Sequence, residues 1–283
     1  MTLQNIETLV VQAKDGDKAS LEVLVRQIQD NVYGLAMRML WHPEDAEDAA
    51  QEILIKVVTH LRNYRGDSAF TTWVYRIAAN HLLTTRQRRV ERERITFEQF
   101  GELLDMGLAE ETLSVPAQVD QRLLEEEAKI GCMQGMLVCL DRDHRMTYIL
   151  GEILELTGKE GAQILGITQA AFRKRLSRAR ERIRSFMHKK CGLANQANPC
   201  RCRRQVGPNI KYGRIHTDKL LFADHPTSSP NSEFVLSRIQ ELDELERSAA
   251  LFRSHPNYAA PSTLIDSIRN LVESGASQLL SDN

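Results

Sequence analysis

A basic, glycine-punctuated segment at residues 157–184 constrains this chain more than any other part of it. The segment reads TGKEGAQILGITQAAFRKRLSRARERIR. Gly166 permits a tight turn between two helical patterns, because glycine adopts positive φ without steric cost. Thr168 is suited to cap the helix that follows. The pattern predicts a helix-turn-helix.

The second of these helices combines an apolar stripe with a nearly one-signed charged surface. Its stripe is Phe172, Leu176, Ala179 and Ile183, at helical spacing. The remaining surface carries Arg173, Lys174, Arg175, Arg178, Arg180, Arg182 and Arg184, with Glu181 as the only acid between Gln169 and Lys190. A solvated helix usually mixes its charges, so DNA binding is favoured over that interpretation. We expect Gln169, Arg173 and Lys174 to reach base edges and the later arginines to contact the backbone.

Charge is segregated along a chain whose net charge is only -1. Acids cluster at 44–52 and 98–127, and bases cluster at 86–94 and 173–190. Such blocks indicate more than one kind of partner. The 283 residues, 42% of them hydrophobic, predict two or three small domains.

Hydrophobic periodicity is helical from Leu3 to Met187, which predicts an all-α fold. The expected helices lie near residues 6–14, 18–40, 43–62, 69–94, 119–140 and 142–157, followed by the helix-turn-helix pair. No apolar run reaches membrane-spanning length, and the first ten residues lack the basic start of a signal peptide. We therefore expect a cytoplasmic protein without membrane insertion.

Two further segments carry functional signals. The helix predicted at 43–62 has a buried apolar stripe and a polar face with Asp48, Gln51 and Glu52, which either caps and solvates the helix or docks a protein.

The segment at 63–89 interleaves aromatic rings with basic side chains, a combination typical of single-stranded nucleic-acid binding. Its members are Tyr64, Phe70, Trp73, Tyr75, Arg65, Arg76, Arg86, Arg88 and Arg89. Core packing is an equally good interpretation of Trp73.

The order of these pieces resembles the extracytoplasmic-function (ECF) group of sigma-70-type RNA polymerase initiation factors. The resemblance rests on DAEDAAQE, then YRGDSAFTTWVYRIAANHLLTTRQRR, then LDRDHRMTYILGEILELTGKEGAQILGITQAAFRKRLSRARERI. It implies a region 2 domain at 1–99, a linker at 100–118, a region 4 domain at 119–188 and a C-terminal extension at 189–283. Both domains would be small and helical, with no catalytic residues.

The resemblance also implies partners and contact residues. Asp48, Gln51 and Glu52 would bind core RNA polymerase. Region 2 would melt the minus-10 element of promoter DNA, and region 4 would read the minus-35 element. The implied DNA-contacting residues are Arg65, Ser68, Phe70, Trp73, Arg76, Asn80, Arg86, Arg88, Arg89, Thr168, Gln169, Arg173, Lys174 and Arg178.

The extension begins with a cysteine-containing loop, HKKCGLANQANPCRCRRQ. His188, Cys191, Cys200 and Cys202 supply enough donors for a tetrahedral zinc site, although the spacing is not a standard finger pattern. Three interpretations stay open, namely zinc binding, a thiol redox switch and inert cysteines. We expect no other cofactor. Cys132 and Cys139 are interpreted as core residues.

The rest of the extension predicts two amphipathic helices at 233–253 and 261–280. Two helices alone bury too little surface to be stable, so they should pack on another part of the chain. We hypothesise that the extension is a regulator that covers a polymerase-binding or DNA-binding surface, in the way that separate anti-sigma factors do in the family. The other interpretation is a dimerisation or stabilising hairpin.

Two other function classes remain for the whole chain. A helix-turn-helix regulator would bind duplex DNA without acting as a sigma factor, but it would have no use for the aromatic segment or the acidic face. A thiol oxidoreductase or metalloenzyme centred on 191–202 lacks a paired acid and base near its cysteines.

Overall fold

A computed structural model describes residues 5–85, 95–109, 120–223 and 242–273, and these residues form helices without a β-strand. The expected all-α fold is confirmed. The helices of the described residues are α1 Ile6–Lys14, α2 Lys18–Leu40, α3 Pro43–Thr59, α4 Phe70–Thr84, α5 Phe97–Ala109, α6 Gln121–Val138, α7 Arg142–Tyr148, α8 Gly158–Leu165, α9 Gln169–Lys190, α10 Cys202–Lys211, α11 Glu244–Arg253 and α12 Ser262–Glu273. A short π-helix, Ile149–Ile153, directly follows α7.

Several helix starts are set by local capping. The Asp17 carboxylate accepts the Ala19 N–H at 3.1 Å before α2. Asp120 does the same for the Arg122 N–H at 2.8 Å before α6. These acceptors satisfy backbone donors that a helix leaves unpaired at its first turn. Pro43 occupies the first turn of α3, where its missing N–H costs no hydrogen bond.

The described residues divide into two compact units. The first contains the described parts of 1–86, 159–168 and 258–283. In it α2 packs against α1, α3, α4 and α12. The apolar stripe predicted for α3 is confirmed, since Ala49, Ala50, Ile53, Leu54, Val57 and Val58 are all buried.

Helix α12 of the extension belongs to this first unit and lies on α2 and α3. Its apolar face, Leu264, Ile265 and Ile268, is buried. Just before α12, the ring of Tyr258 is covered by the Arg38 guanidinium, 4.9 Å from the ring centroid. The helix expected at 261–280 is therefore present as α12, Ser262–Glu273, within the described residues. As expected, it packs on another part of the chain, namely α2 and α3.

The second unit contains the described parts of 87–158 and 169–257. Its recognition-type helix α9 packs on α7, α11 and α5, and its helix α10 packs on α6 and α5. Buried Arg145 donates to the carbonyl oxygens of Leu137, Val138 and Leu140 at 2.9–3.2 Å. A cation at this position stabilises the end of α6, whose last carbonyls lack helical partners.

Helix α5 occupies part of the segment expected to be a linker. It packs on α6, α9 and α10 within the second unit. The Gln205 side chain of α10 donates to the Leu104 carbonyl at 3.0 Å, and Phe100 of α5 stacks on Phe186 of α9 at 5.6 Å between ring centroids. Its apolar face explains why this acidic segment forms a helix instead of an extended linker.

The extension is anchored in the second unit by one buried carboxylate. Glu127 of α6 is 2% exposed. It accepts the backbone N–H groups of Leu221, Phe222 and Ala223 at 2.8, 2.9 and 2.8 Å. Three charge-assisted hydrogen bonds hold this stretch of the extension against α6. No described helix is long and apolar enough to cross a membrane.

Candidate nucleic-acid and polymerase interfaces

The turn between α8 and α9 has the conformation that glycine allows. Gly166 has φ of 63°, in the left-handed region. The Ile167 N–H donates to the Ala162 carbonyl at 3.1 Å, which closes the end of α8. Helix α9 then begins at Gln169, and its predicted stripe of Phe172, Leu176, Ala179 and Ile183 is buried. The predicted order of helix, tight turn and helix is confirmed.

Four arginines of α9 form ion pairs within the second unit. Arg175 pairs with Asp143 at 3.4 Å, and Arg182 pairs with Asp141 at 3.5 Å. Arg184 pairs with Glu181 on its own helix at 2.8 Å. Arg180 pairs with Glu152 of the π-helix, whose side chain is only 4% exposed. These arginines therefore contribute to the structure of this unit, and their contact with the DNA backbone stays a prediction.

The other polar residues near the start of α9 face solvent. Thr168, Gln169, Arg173, Lys174 and Arg178 are all exposed. Within the part of the chain that the structure describes, Arg173, Lys174 and Arg178 form no ion pair, unlike the four arginines above. Their charge remains available to an anionic partner.

The polar face of α3 is also accessible. Asp48 and Glu52 are exposed and Gln51 is half-buried. Glu52 lies 3.8 Å from the Nε2 atom of His81 on α4. Gln51 and Glu52 follow Asp48 at spacings of three and four on one face of α3, so the three residues form a strip with an acid at each end.

An aromatic cluster lies at the start of α4. Tyr64, Phe70 and Trp73 are mutually in contact, with ring centroids 5.3–5.6 Å apart. Phe70 is 2% exposed, whereas Trp73 is half-buried. Phe70 cannot stack on a base in this conformation, because its ring is already enclosed by the cluster. Phe70 is thus a core residue, whereas Trp73 is partly accessible.

The polar residues predicted beside this cluster are mostly at the surface. Arg65, Arg76 and Asn80 are exposed, and Ser68 and Tyr75 are half-buried. The Tyr64 hydroxyl donates to the Ser68 carbonyl at 2.6 Å, which fixes the turn before α4. The predicted contacts Arg86, Arg88 and Arg89 lie outside the described residues.

The cysteines of the extension are close to α6 and α9. Cys191, Cys200 and Cys202 are half-buried free thiols, as is Cys132 of α6. His188 is exposed, and its carbonyl accepts hydrogen bonds from Asn195 at 3.1 Å and Asn198 at 2.8 Å.

The family comparisons match both predicted domains. The model of sigma-70 region 2 matches residues 24–92, and the model of sigma-70 region 4 matches residues 130–183. The RNA polymerase sigma-H factor of Pseudomonas aeruginosa is 32% identical over 186 residues, which cover 65% of this chain and 94% of that protein. This chain belongs to the ECF sigma factors of the sigma-70 family.

Two other matches cover similar shares of both chains. The ECF RNA polymerase sigma-E factor of Haemophilus influenzae is 32% identical over 180 residues, covering 62% of this sigma factor and 92% of that protein. The solved structure of CnrH in complex with the cytosolic domain of CnrY shares 20% identity, with a TM-score of 0.47 over 64% of this chain and 96% of that chain.

As a sigma factor, the protein binds core RNA polymerase and promoter DNA and serves transcription initiation. Region 2 covers most of α2 together with α3 and α4, and region 4 runs from within α6 into α9. The alternative of a helix-turn-helix regulator without sigma activity receives no support from these matches. The region 4 match ends at residue 183, so α10, α11 and α12 lie beyond it.

Proposed function

We propose that this sigma factor reads the minus-35 element through the exposed first turns of α9. The observation that carries the proposal is the division of the cations of α9. Arg175, Arg180, Arg182 and Arg184 are held in internal ion pairs, whereas Arg173, Lys174 and Arg178 are exposed and form none with the described residues. Thr168 and Gln169 complete the exposed group. A helix N-terminus of this kind suits base-edge readout in a major groove.

Region 2 supplies the second DNA surface in this proposal. Arg65, Ser68, Arg76 and Asn80 would contact the strand of the minus-10 element, and the partly accessible Trp73 ring would stack on a base. Phe70 supports Trp73 from behind, at 5.6 Å between ring centroids. A supported ring is a rigid stacking platform, and stacking contributes about 1–3 kcal/mol per base.

Core polymerase would dock on the strip formed by Asp48, Gln51 and Glu52. Both carboxylates are exposed and can therefore meet a basic surface of the polymerase. The protein would act in the cytoplasm as a specificity factor, and it would catalyse no reaction of its own.

The minus-35 proposal is tested by run-off transcription from a promoter library with core polymerase and the full chain. Arg173→Ala should change the preferred minus-35 sequence and lower promoter use about 10-fold, as expected for a lost base contact. Arg182→Ala removes a nearby arginine that already pairs with Asp141 and should leave the preference unchanged. An unaltered preference in Arg173→Ala would contradict the proposed role.

The polymerase proposal is tested by direct binding of the full chain to core enzyme. Asp48→Lys combined with Glu52→Lys should weaken binding at least 10-fold, because it reverses the charge of the strip. Asp15→Lys, at an exposed acid between α1 and α2, provides a control for a single charge reversal away from the strip. Equal affinity of the two variants would place the docking surface elsewhere.

We further propose that α12 regulates access of polymerase to region 2. Thr263 of α12 donates to the Glu47 carboxylate of α3 at 2.5 Å. Glu47 immediately precedes Asp48 in α3. A polymerase surface that binds the strip of Asp48, Gln51 and Glu52 would therefore come close to α12. The backbone N–H of Ala260 donates to Asp30 of α2 at 2.9 Å, which adds a second polar contact at the start of the helix.

Substitutions on the two faces of α12 separate regulation from mere stabilisation. Ile265→Asp with Ile268→Asp places charges on the buried face and should release the helix. Asn270→Asp changes an exposed position of the same helix. If α12 restricts polymerase, the first variant gains core affinity and transcription over wild type while the control does not. Unchanged activity with a lower melting temperature would make α12 a stabilising helix instead.

A further inference from the structure

The loop after α9 brings two cysteines of the extension together. Cys191 directly follows α9, and the chain then folds back before Cys202 starts α10. The Asn198 side chain donates to the Cys191 carbonyl at 3.3 Å and to the His188 carbonyl at 2.8 Å. These bonds tie Asn198, four residues before Cys202, to the end of α9.

Gly192 marks the point of closest approach within this loop. A Cβ atom placed on it would lie 2.1 Å from the Cys200 carbonyl oxygen and 1.7 Å from Nη1 of Arg201. Arg201 donates from that nitrogen to the Cys200 carbonyl at 2.8 Å. Only glycine allows the backbone at 192 to pass so near residue 200. Cys191 and Cys200 are therefore neighbours in space although nine positions separate them.

A fourth thiol comes from outside the loop. Cys132 lies on α6, the helix against which α10 packs. Burial raises the pKa of the Cys132 thiol well above its usual value, and the nearby Cys191, Cys202 and Cys200 raise it further. Burial also raises the pKa of Cys202 to about 12, with Cys191 and Cys200 adding to the effect. The packing of the helices places the thiols on the same side: Ala128 of α6 and Val206 of α10 share one buried cluster, and Cys132 and Cys202 each lie one helical turn from them. Gln205 of α10 also contacts the Cys200 Sγ at 3.8 Å.

We infer that Cys132, Cys191, Cys200 and Cys202 form a four-thiolate site for Zn²⁺. Tetrahedral sulfur coordination is typical of structural zinc, because the soft thiolate suits this cation. On binding, each cysteine Sγ loses its proton to solvent and forms one bond to the metal, so no oxidant or reductant is required. Arg201 and Arg204 lie close to Cys200 and Cys202 in the chain and would offset part of the negative charge of the complex.

In this site Cys132 takes the place of the exposed His188 as the fourth ligand. Cys132 is far from the loop in the sequence, so spacing alone could not connect the two. No three acid, histidine or cysteine side chains of the described chain already stand as a metal-binding group. The proposed site therefore requires the four sulfurs to move toward one another when Zn²⁺ binds, which rotation about χ1 would allow. Once formed, the site would join the start of the extension to α6 and α9, and its binding energy would stabilise the fold of region 4.

The first test measures metal content in the full chain purified under reducing conditions without added chelator. We expect about one zinc per chain. Cobalt added in place of zinc should give the intense thiolate-to-metal absorption of a tetrahedral sulfur site. Zinc-free protein with free thiols, an intramolecular disulfide, or iron in place of zinc would each overturn the inference.

Variants then identify the fourth ligand. Cys132→Ser should lose zinc, whereas Cys132→His should retain it, because histidine can replace a thiolate as ligand. Cys139→Ser, on the same helix, and His188→Ala should both keep full zinc content. Loss of zinc in His188→Ala with retention in Cys132→Ser would assign the site to the histidine instead. If Cys132→Ser fails to fold, the Cys132→His variant still separates a ligand from a packing residue. Zinc retained by Cys132→His would support a ligand role for position 132. A Cys132→His protein without zinc would count against the site.

Discussion

Arg269 on α12 pairs with Glu22 on α2, with 2.7 Å between Nη2 and Oε1. Arg26 shares the same carboxylate, also at 2.7 Å. The hydrogen bond from Arg269, followed by that from Arg26, lowers the pKa of Glu22 to about 2. The ionised carboxylate is thus favoured in the docked state, and its ionisation reports whether α12 lies on α2.

The first prediction concerns this pKa. A depressed carboxyl pKa stabilises the docked state above the ordinary value near 4.5, and this contribution disappears as the pH falls toward 2. Arg269→Ala should move the pKa of Glu22 upward from about 2, as measured by carbon-detected NMR titration. Asn270→Ala, on the exposed side of α12, should not. An unmoved pKa in Arg269→Ala would show that α12 does not rest on α2 in solution.

The second prediction concerns the salt dependence of promoter binding. Arg178 is exposed on α9, whereas Arg184 pairs with Glu181. If Arg178 contacts a phosphate, Arg178→Ala should reduce the slope of log K against log salt by about one, through loss of counterion release. Arg184→Ala should leave the slope nearly unchanged. Fluorescence anisotropy with a labelled duplex across a salt series measures both slopes, and equal slopes would remove Arg178 from the interface.

The third prediction concerns the anchor of the extension at Glu127. Its carboxylate receives three backbone N–H groups while almost completely buried. Glu127→Gln removes the negative charge and replaces one acceptor oxygen with an NH2 group, which cannot accept a hydrogen bond from the backbone N–H groups. The free energy of unfolding should therefore fall by about 2 kcal/mol. Urea denaturation measures the loss. Glu125→Gln, at a more exposed acid of the same helix, should cost less than about 0.5 kcal/mol, and equal effects would contradict the anchoring role.

The fourth prediction concerns Cys139. Burial raises its pKa to about 12, although Arg145 acts in the opposite direction. At pH 8 only about one thiol in ten thousand is then the reactive thiolate. Iodoacetamide at that pH should modify Cys139 far more slowly in the folded chain than in urea-unfolded chain, as followed by mass spectrometry. Equal rates in the two states would mean that the thiol is not buried.

The local pattern of the sequence was a reliable guide to helices and to the faces they bury. The stripes of α3 and α9 were predicted from spacing alone, because helical periodicity places residues three and four apart on one face. Gly166 likewise indicated the turn before α9 without reference to any distant residue. The exposed group at the start of α9 follows from the same local geometry.

The local sequence pattern could not predict contacts between residues that are far apart in the chain. It could not separate Arg173 from Arg182, since both are charged helix residues and only the position of Asp141 distinguishes them. Helix α5 was expected to be part of a linker because its acids and glycines are typical of one, yet its apolar face packs on three helices.

The sequence by itself determined the helices, their buried stripes and the membership of the sigma-70 family, because these depend on the identity and order of nearby residues. Only the tertiary structure decided which cations of α9 are paired, that Glu22 and Glu47 receive α12, and that Cys132 lies near the thiols of the extension. Those outcomes depend on distances between residues far apart in the chain, which are set by the packing of whole helices and not by local periodicity.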